Sequence, residues 1–133
     1  MDAQDLKNRT KRFALRVIRL VQYLPKGQVA AVIGRQLLRA GTSVGSNYRA
    51  ACRAKSAADF VSKIGIVEEE ADESLYWMEL LIEARIVCEK QLGPLMNEAS
   101  ELVAIAVASQ NTAKRKMPVR KSAIRNPHSA IES

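Results

Sequence analysis

The sequence predicts an all-α protein: an antiparallel, up-down-up-down four-helix bundle with a basic C-terminal tail. Apolar residues recur every three or four positions over four long stretches, which is the spacing of helices buried on one face. Alternating β-branched runs between glycine-rich turns, the usual signal of strands, are missing. The 133 residues suffice for one hydrophobic core, and the short connections between the stretches favour antiparallel neighbours.

Helix one is predicted from about Asp5 to Tyr23, because Leu6, Phe13 and Val17 fall on one side of it. The segment Pro25-Lys26-Gly27 ends it. Helix two is predicted to begin near Val29, with a second apolar face. Its face is formed by Ile33, Leu37, Ala40, Val44, Tyr48 and Ala51.

The middle of helix two, residues 40–47, is poor in helix-forming residues. Each interior glycine costs up to about 1 kcal/mol relative to alanine. The apolar period nevertheless continues through this segment, so we expect one unbroken helix in which Gly41 and Gly45 allow a neighbour to pack closely. Residues predicted to serve helix packing or a subunit interface are Gly41, Ser43, Gly45, Asn47, Tyr48 and Trp77.

Helix three should begin after Ser56, because Ser56 and Asp59 have the spacing of a capping box. We expect it to continue to about Lys90. Gly93-Pro94 is predicted as the next turn, with Pro94 in the first turn of helix four. Helix four should fade near Ala113, which gives a bundle domain of residues 1–113 and a flexible basic tail of residues 114–133.

The formal charge of +7 is unevenly distributed. Residues 29–55 contain five basic and no acidic residues, whereas residues 56–92 contain nine acidic and three basic ones. Spacings of three and four place the arginines of each of the first two helices in a line on the side away from its apolar face, a pattern suited to phosphates. The candidate nucleic-acid-binding residues are Arg9, Arg12, Arg16, Arg19, Arg35, Arg39, Arg49 and Arg53.

Two other interpretations of these arginine lines stay open. A line of charges on a helix is commonly a solvated face. The acidic third helix also offers partners, so the arginines of one subunit could pair with Glu69 and Glu73 of another. Tyr76 and Trp77 are expected to pack in the core or at a subunit contact rather than to stack on bases.

The residues needed for catalysis or metal binding are scarce. The single histidine, His128, lies in the tail, so no histidine relay or zinc site can form in the bundle. The segment 41–45 lacks the Lys-Ser/Thr of a phosphate loop, and the acidic run 68–73 lacks the Glu-x-x-His of di-iron bundles. We therefore expect no enzymatic activity, no metal and no cofactor.

The cysteines, the apolar stretches and the N-terminus indicate the cellular location. Cys52 and Cys88 have no CxxC spacing and are interpreted as small buried residues that stay reduced. No apolar stretch approaches the roughly 20 residues that span a bilayer, and the polar N-terminus does not resemble a secretory signal. The sequence predicts a cytoplasmic protein without membrane contact.

Three segments resemble the four-helix-bundle proteins encoded by intervening sequences in bacterial 23S ribosomal RNA genes. They are residues 36–51 (QLLRAGTSVGSNYRAA), 55–60 (KSAADF) and 70–81 (EADESLYWMELL). The resemblance extends from about Phe13 to Val87. Ala50 departs from the family pattern, which usually has Glu there, so a polar contact at that position does not transfer to this chain.

The resemblance implies a ring-shaped homopentamer with no established enzymatic activity. The family is also similar to the accessory protein of diversity-generating retroelements, a pentameric bundle that binds nucleic acid and a reverse transcriptase through basic surface. Two hypotheses follow. The first is an oligomeric bundle that binds RNA or DNA through the arginine lines, and the second is a protein-interaction scaffold whose basic and acidic faces pair between subunits.

Overall fold

Four long helices make up the computed structural model, which describes residues 1–117. The all-α class and the bundle are confirmed, and the described residues contain no strand. Successive helices pack side by side, while α1 and α4 close the bundle through a smaller contact. The connections have four or five residues, so neighbouring helices run antiparallel. The helices are α1 (Ala3–Gln22), α2 (Gln28–Cys52), α3 (Ala57–Glu83) and α4 (Glu89–Arg115).

The predicted start of α3 is confirmed. The Ser56 side chain accepts a hydrogen bond from the Asp59 backbone N–H at 3.0 Å. The Asp59 carboxylate in turn accepts a hydrogen bond from the backbone N–H of Lys55, the residue before the N-cap, at 3.0 Å. Lys63 Nζ donates to the same carboxylate at 2.5 Å, and this contact is the main reason why the pKa of Asp59 is lowered.

The predicted turn at Gly93-Pro94 is wrong. α3 ends at Glu83, where Arg85 takes a left-handed conformation with φ of 62°. The Arg85 N–H donates to the Ile82 carbonyl and the Ile86 N–H donates to the Leu81 carbonyl, both at 2.9 Å. These two bonds form a Schellman motif, whose left-handed position is usually glycine.

Pro94 consequently lies inside α4 rather than in a turn. It is the sixth residue of the helix and is exposed, so its ring points away from the core. Its missing N–H deprives only the Lys90 carbonyl of an intrahelical donor. α4 ends at Arg115, two residues beyond the predicted limit, and residues 118–133 of the predicted tail lie outside the described part of the chain.

All four helices contribute to one core. Its polar members keep their hydrogen bonds: the hydroxyl of buried Ser74 donates to the Glu70 carbonyl at 2.8 Å. The expectation of two buried cysteines is wrong for Cys88, which is exposed as the N-cap of α4, while Cys52 is half-buried. None of the helices within residues 1–117 combines the length and the apolar character that crossing a bilayer requires. The largest fully buried side chains include Phe13, Leu37, Ile64, Met78, Leu81, Leu92 and Leu102.

α1 and α2 approach each other so closely that two positions on α2 have little room for a side chain. A Cβ atom placed on Gly41 would lie 2.8 Å from Cγ2 of Val17, and one on Gly45 would lie 3.1 Å from Oγ1 of Thr10. Thr10 is buried, and its hydroxyl donates to the Leu6 carbonyl at 2.9 Å, so it presents no unbonded proton to α2. The glycines that α2 contains without a break are therefore the positions at which α1 packs against it.

The smaller contact between α1 and α4 is reinforced by charge. Arg9 donates to both carboxylate oxygens of Glu98, from Nε at 2.6 Å and from Nη2 at 2.8 Å. Nη2 also donates to Glu101 at 2.5 Å. The Arg9 and Glu98 side chains are only 20% and 17% exposed, so this pair is better shielded from solvent than a surface ion pair.

The close contact at Gly41 can be tested with a matched pair of substitutions. In Gly41→Ala the new Cβ collides with Val17, and overpacking costs about 1–3 kcal/mol, more than the helix propensity that alanine gains. In Gly65→Ala the nearest atom is Gln110 Oε1 at 3.8 Å, an ordinary contact. We therefore expect urea unfolding to show a lower free energy of unfolding for Gly41→Ala and an increase of up to about 1 kcal/mol for Gly65→Ala. Equal stabilisation of both variants would contradict the account.

Candidate nucleic-acid interface

The four candidate arginines of α1 do not form the outward-facing line that their spacing suggested. Arg9 is held by Glu98 and Glu101 of α4, and its pairing with Glu98 raises its pKa above the usual value. At about 100° per residue, Arg16 lies about 20° and Arg12 about 60° from Arg9 around the helix. This line therefore follows the flank of α1 that is turned towards α4, where Arg12 and Arg19 are exposed and Arg16 is half-buried.

Three of the four candidate arginines of α2 lie on its outer side. Arg35, Arg49 and Arg53 are exposed, and none has a carboxylate oxygen within 4 Å among residues 1–117. Arg35 and Arg53, the C-cap residue of α2, are 18 residues apart on one side of the helix, which corresponds to about 27 Å along its axis. This outer face of α2, formed by Arg35, Arg49 and Arg53, is an extended basic surface.

Arg39 is bound within the chain instead. Its guanidinium donates to Glu70 of α3 at 3.2 Å and also to Glu73. Glu73 additionally accepts from Nε1 of half-buried Trp77 at 2.9 Å. Pairing of an arginine with the acidic helix, which the sequence left open between subunits, thus occurs between α2 and α3 of one subunit at this position.

Tyr76 and Trp77, adjacent on α3, differ in burial. Their ring centroids lie 5.1 Å apart with an interplanar angle of 67°. Trp77 packs against the edge of the core, whereas Tyr76 is 51% exposed. The outer side of α3 consequently combines an exposed aromatic ring with acidic side chains.

The remaining small or polar candidates of α2 make contacts within the bundle. The Ser43 hydroxyl donates to the Arg39 carbonyl and Asn47 Nδ2 donates to the Ser43 carbonyl, each at 2.8 Å. Tyr48 is 7% exposed, and burial raises the pKa of its hydroxyl. Gly41 and Gly45 face α1, as described above. Ser43 and Asn47 thus bond within α2 itself, whereas Gly41, Gly45 and Tyr48 pack inside the subunit.

Lys7 and Lys11 are basic residues outside the set of candidates that the sequence predicts. They are four residues apart on α1 and lie beside Arg49 of α2, around a groove between the two helices. The i,i+4 spacing was a usable signal, because it places both side chains on one side of α1. What the sequence could not supply was the register of α1 against α2, which brings them to Arg49.

The described residues contain few of the groups that catalysis or metal binding would use. Within residues 1–117 no cluster of three or more His, Cys, Asp or Glu side chains could hold a metal ion. The one histidine of the sequence, His128, lies beyond those residues. The described surface is characterised by charged side chains, with bases on α1 and α2 and acids on α3.

Comparisons with known proteins point to one family. The sequence model of the family described as 23S rRNA-intervening sequence protein matches residues 3–108. A search of curated proteins gave no match. The fold is similar to the crystal structure of a protein with unknown function from the S23 ribosomal protein family of Bacteroides thetaiotaomicron, with a TM-score of 0.77 and 34% sequence identity over 84% of this chain and 99% of that one. The chain belongs to the 23S rRNA-intervening sequence protein family.

Proposed function

We propose that the protein binds RNA or DNA through the outer face of α2, as the subunit of an oligomer. The observation that carries the proposal is the set of three exposed arginines, Arg35, Arg49 and Arg53, without a carboxylate within 4 Å in residues 1–117. Unpaired arginines bind phosphate oxygens through charge-assisted hydrogen bonds and release counterions when they do so.

The contacts inside the bundle narrow the set of residues that would contact nucleic acid. Arg9 and Arg39 already donate to two carboxylates each, so binding a phosphate would require breaking those ion pairs. We assign these two arginines to the stability of the bundle. Arg12 and Arg19, exposed on α1, add positive charge on a different flank and would extend the contact rather than form its centre.

The contacts that we propose are to the phosphate backbone rather than to base edges. Arginines spaced along one helix face contact a phosphate backbone, which carries no direct sequence information. Binding should therefore show little sequence preference and should weaken steeply as salt concentration rises.

The test is fluorescence anisotropy with a labelled single-stranded RNA and a duplex DNA at several salt concentrations. In Arg35→Gln/Arg53→Gln we expect at least tenfold weaker RNA binding, and a slope of log K against log salt reduced by about 1.4, since each lost phosphate contact contributes about 0.7. The control Arg85→Gln/Lys90→Gln removes the same charge from the α3–α4 connection and the first turn of α4, and it should retain both affinity and slope. Absence of binding at low salt, or equal losses in both variants, would refute the proposal.

A second candidate function, assembly through complementary faces, is favoured by the outer side of α3. Glu69, Asp72, Glu79 and Glu83 are exposed there, with no base within 4 Å in the described chain. Tyr76 is exposed beside them, together with Ile66 at 37%. An acidic surface with exposed apolar groups suits burial against the basic side of another subunit. The family resemblance suggests a homopentamer as the product.

Charge reversal tests assembly separately from nucleic-acid binding. Glu69→Lys places a base in the middle of the outer face of α3, and we expect light scattering after size exclusion to show a lower mass than that of the wild-type oligomer. Glu89→Lys, an exposed position at the start of α4, makes the same change away from this face and should leave the mass unaltered. A monomeric wild type, or an oligomer that Glu69→Lys does not disturb, would refute this role for α3.

A further inference from the structure

The groove between α1 and α2 has a recess that three basic residues line. Lys7 and Lys11 come from α1 and Arg49 comes from α2. The recess holds about 150 Å³ and adjoins a second one, of about 230 Å³, that the same three residues line. We call it the α1–α2 notch, and define it by Lys7, Lys11, Ala14, Gly45, Ser46 and Arg49.

The charge of the α1–α2 notch is uncompensated. No carboxylate oxygen lies within 4 Å of Lys7, Lys11 or Arg49 in the part of the chain that the structure describes. The three cations repel one another, and an anion between them would convert that repulsion into attraction. Arg9 and Arg39, by contrast, have two carboxylates each, so the notch differs from these two ion-paired positions.

The floor of the notch is made of small residues. Ala14 and Gly45 line the groove, and neither has a side chain long enough to cover it; Thr10 packs against Gly45. The Thr42 hydroxyl at the rim donates to the Leu38 carbonyl at 2.7 Å and offers an anion no proton. Ser46 makes a longer bond of 3.2 Å to the Ser43 carbonyl, so its hydroxyl can turn and become a fourth donor.

The notch also lies next to the proposed interface. Arg49 belongs to the outer face of α2, and it is within about 40° of Arg53 around the helix, at 100° per residue. A backbone that follows Arg53 and Arg49 would therefore reach Lys11 and Lys7 across the groove. Nothing comparable continues from Arg39, which is tied to α3.

We propose that the α1–α2 notch binds one phosphate group of a nucleic-acid backbone, with Lys7, Lys11 and Arg49 as its donors and Ser46 as a fourth. The inference rests on the proposed nucleic-acid binding and deepens it. It identifies a defined phosphate-binding site within a surface that otherwise attracts nucleic acid by charge alone. Such a site would fix the position of the nucleic-acid strand relative to the bundle.

Ser46→Glu tests the notch with the full-length protein. Ser46 is exposed on α2, so glutamate there leaves the core intact but introduces a carboxylate among the three bases. Ser100→Glu is the matched control, the same exchange at an exposed position of α4. We expect anisotropy to show RNA binding at least tenfold weaker for Ser46→Glu, the loss of a charge-assisted contact, and within about twofold of wild type for Ser100→Glu.

The second variant, Lys11→Gln, removes one donor without adding a charge and should also weaken binding, with thermal melting confirming that each variant is folded. Equal RNA affinities of Ser46→Glu and Ser100→Glu would overturn the notch as a phosphate site and would leave the proposed interface on α2 unaffected. Absence of RNA and DNA binding by the wild type would instead refute the proposed function, and the notch with it.

A calorimetric titration with inorganic tripolyphosphate distinguishes the source of the phosphate. Weak binding of tripolyphosphate by the wild type, which Ser46→Glu weakens together with RNA binding, is the expected result, because the three bases attract any phosphate. Stoichiometric binding that Ser46→Glu abolishes, without an effect of Ser46→Glu on RNA, would mean that the notch takes free phosphates and would overturn the backbone as its ligand.

Discussion

The close contact between α1 and α2 is the constraint on which the other features of the bundle depend. Gly41 and Gly45 have no side chains, so Val17 and Thr10 can occupy the space that a Cβ would need. The fit fixes the register of the two helices, since a shift by one residue would bring bulkier side chains into that space. That register in turn places Arg49 beside Lys7 and Lys11, and leaves α1 with a smaller contact to α4 that Arg9 reinforces.

Much of the fold could be predicted from periodicity alone. The core faces of α1 and α2, the continuity of α2 through its glycines and the cap at Ser56 all follow from spacing and residue type. The end of α3 could not be predicted in this way, because an arginine occupies the left-handed position that glycine usually marks. Gly93 and Pro94 looked like a turn, but both are accommodated within α4, where they point to open space or to solvent.

The candidate site was harder to predict than the fold, for a geometric reason. Helical spacing tells which residues share a side of one helix, but not which neighbouring helix lies there. Arg9 and Arg39 matched the spacing of their lines, yet each faces an acidic neighbour and forms ion pairs within the chain. Lys7 and Lys11 became candidates only because the packing of α1 on α2 places them beside Arg49. The bundle thereby divides its charges between internal pairs and an exposed basic surface, while the acids on the outer side of α3 have no base within 4 Å in residues 1–117.

Crosslinking of the full-length protein to single-stranded RNA, with the crosslinked peptides identified by mass spectrometry, tests the central claim that the basic side of α1 and α2 binds nucleic acid. If this side binds RNA, crosslinks are expected on the peptides around Lys7 and Lys11 and on those around Arg49 and Arg53. Crosslinks on the outer side of α3, or confined to residues 118–133, would contradict it.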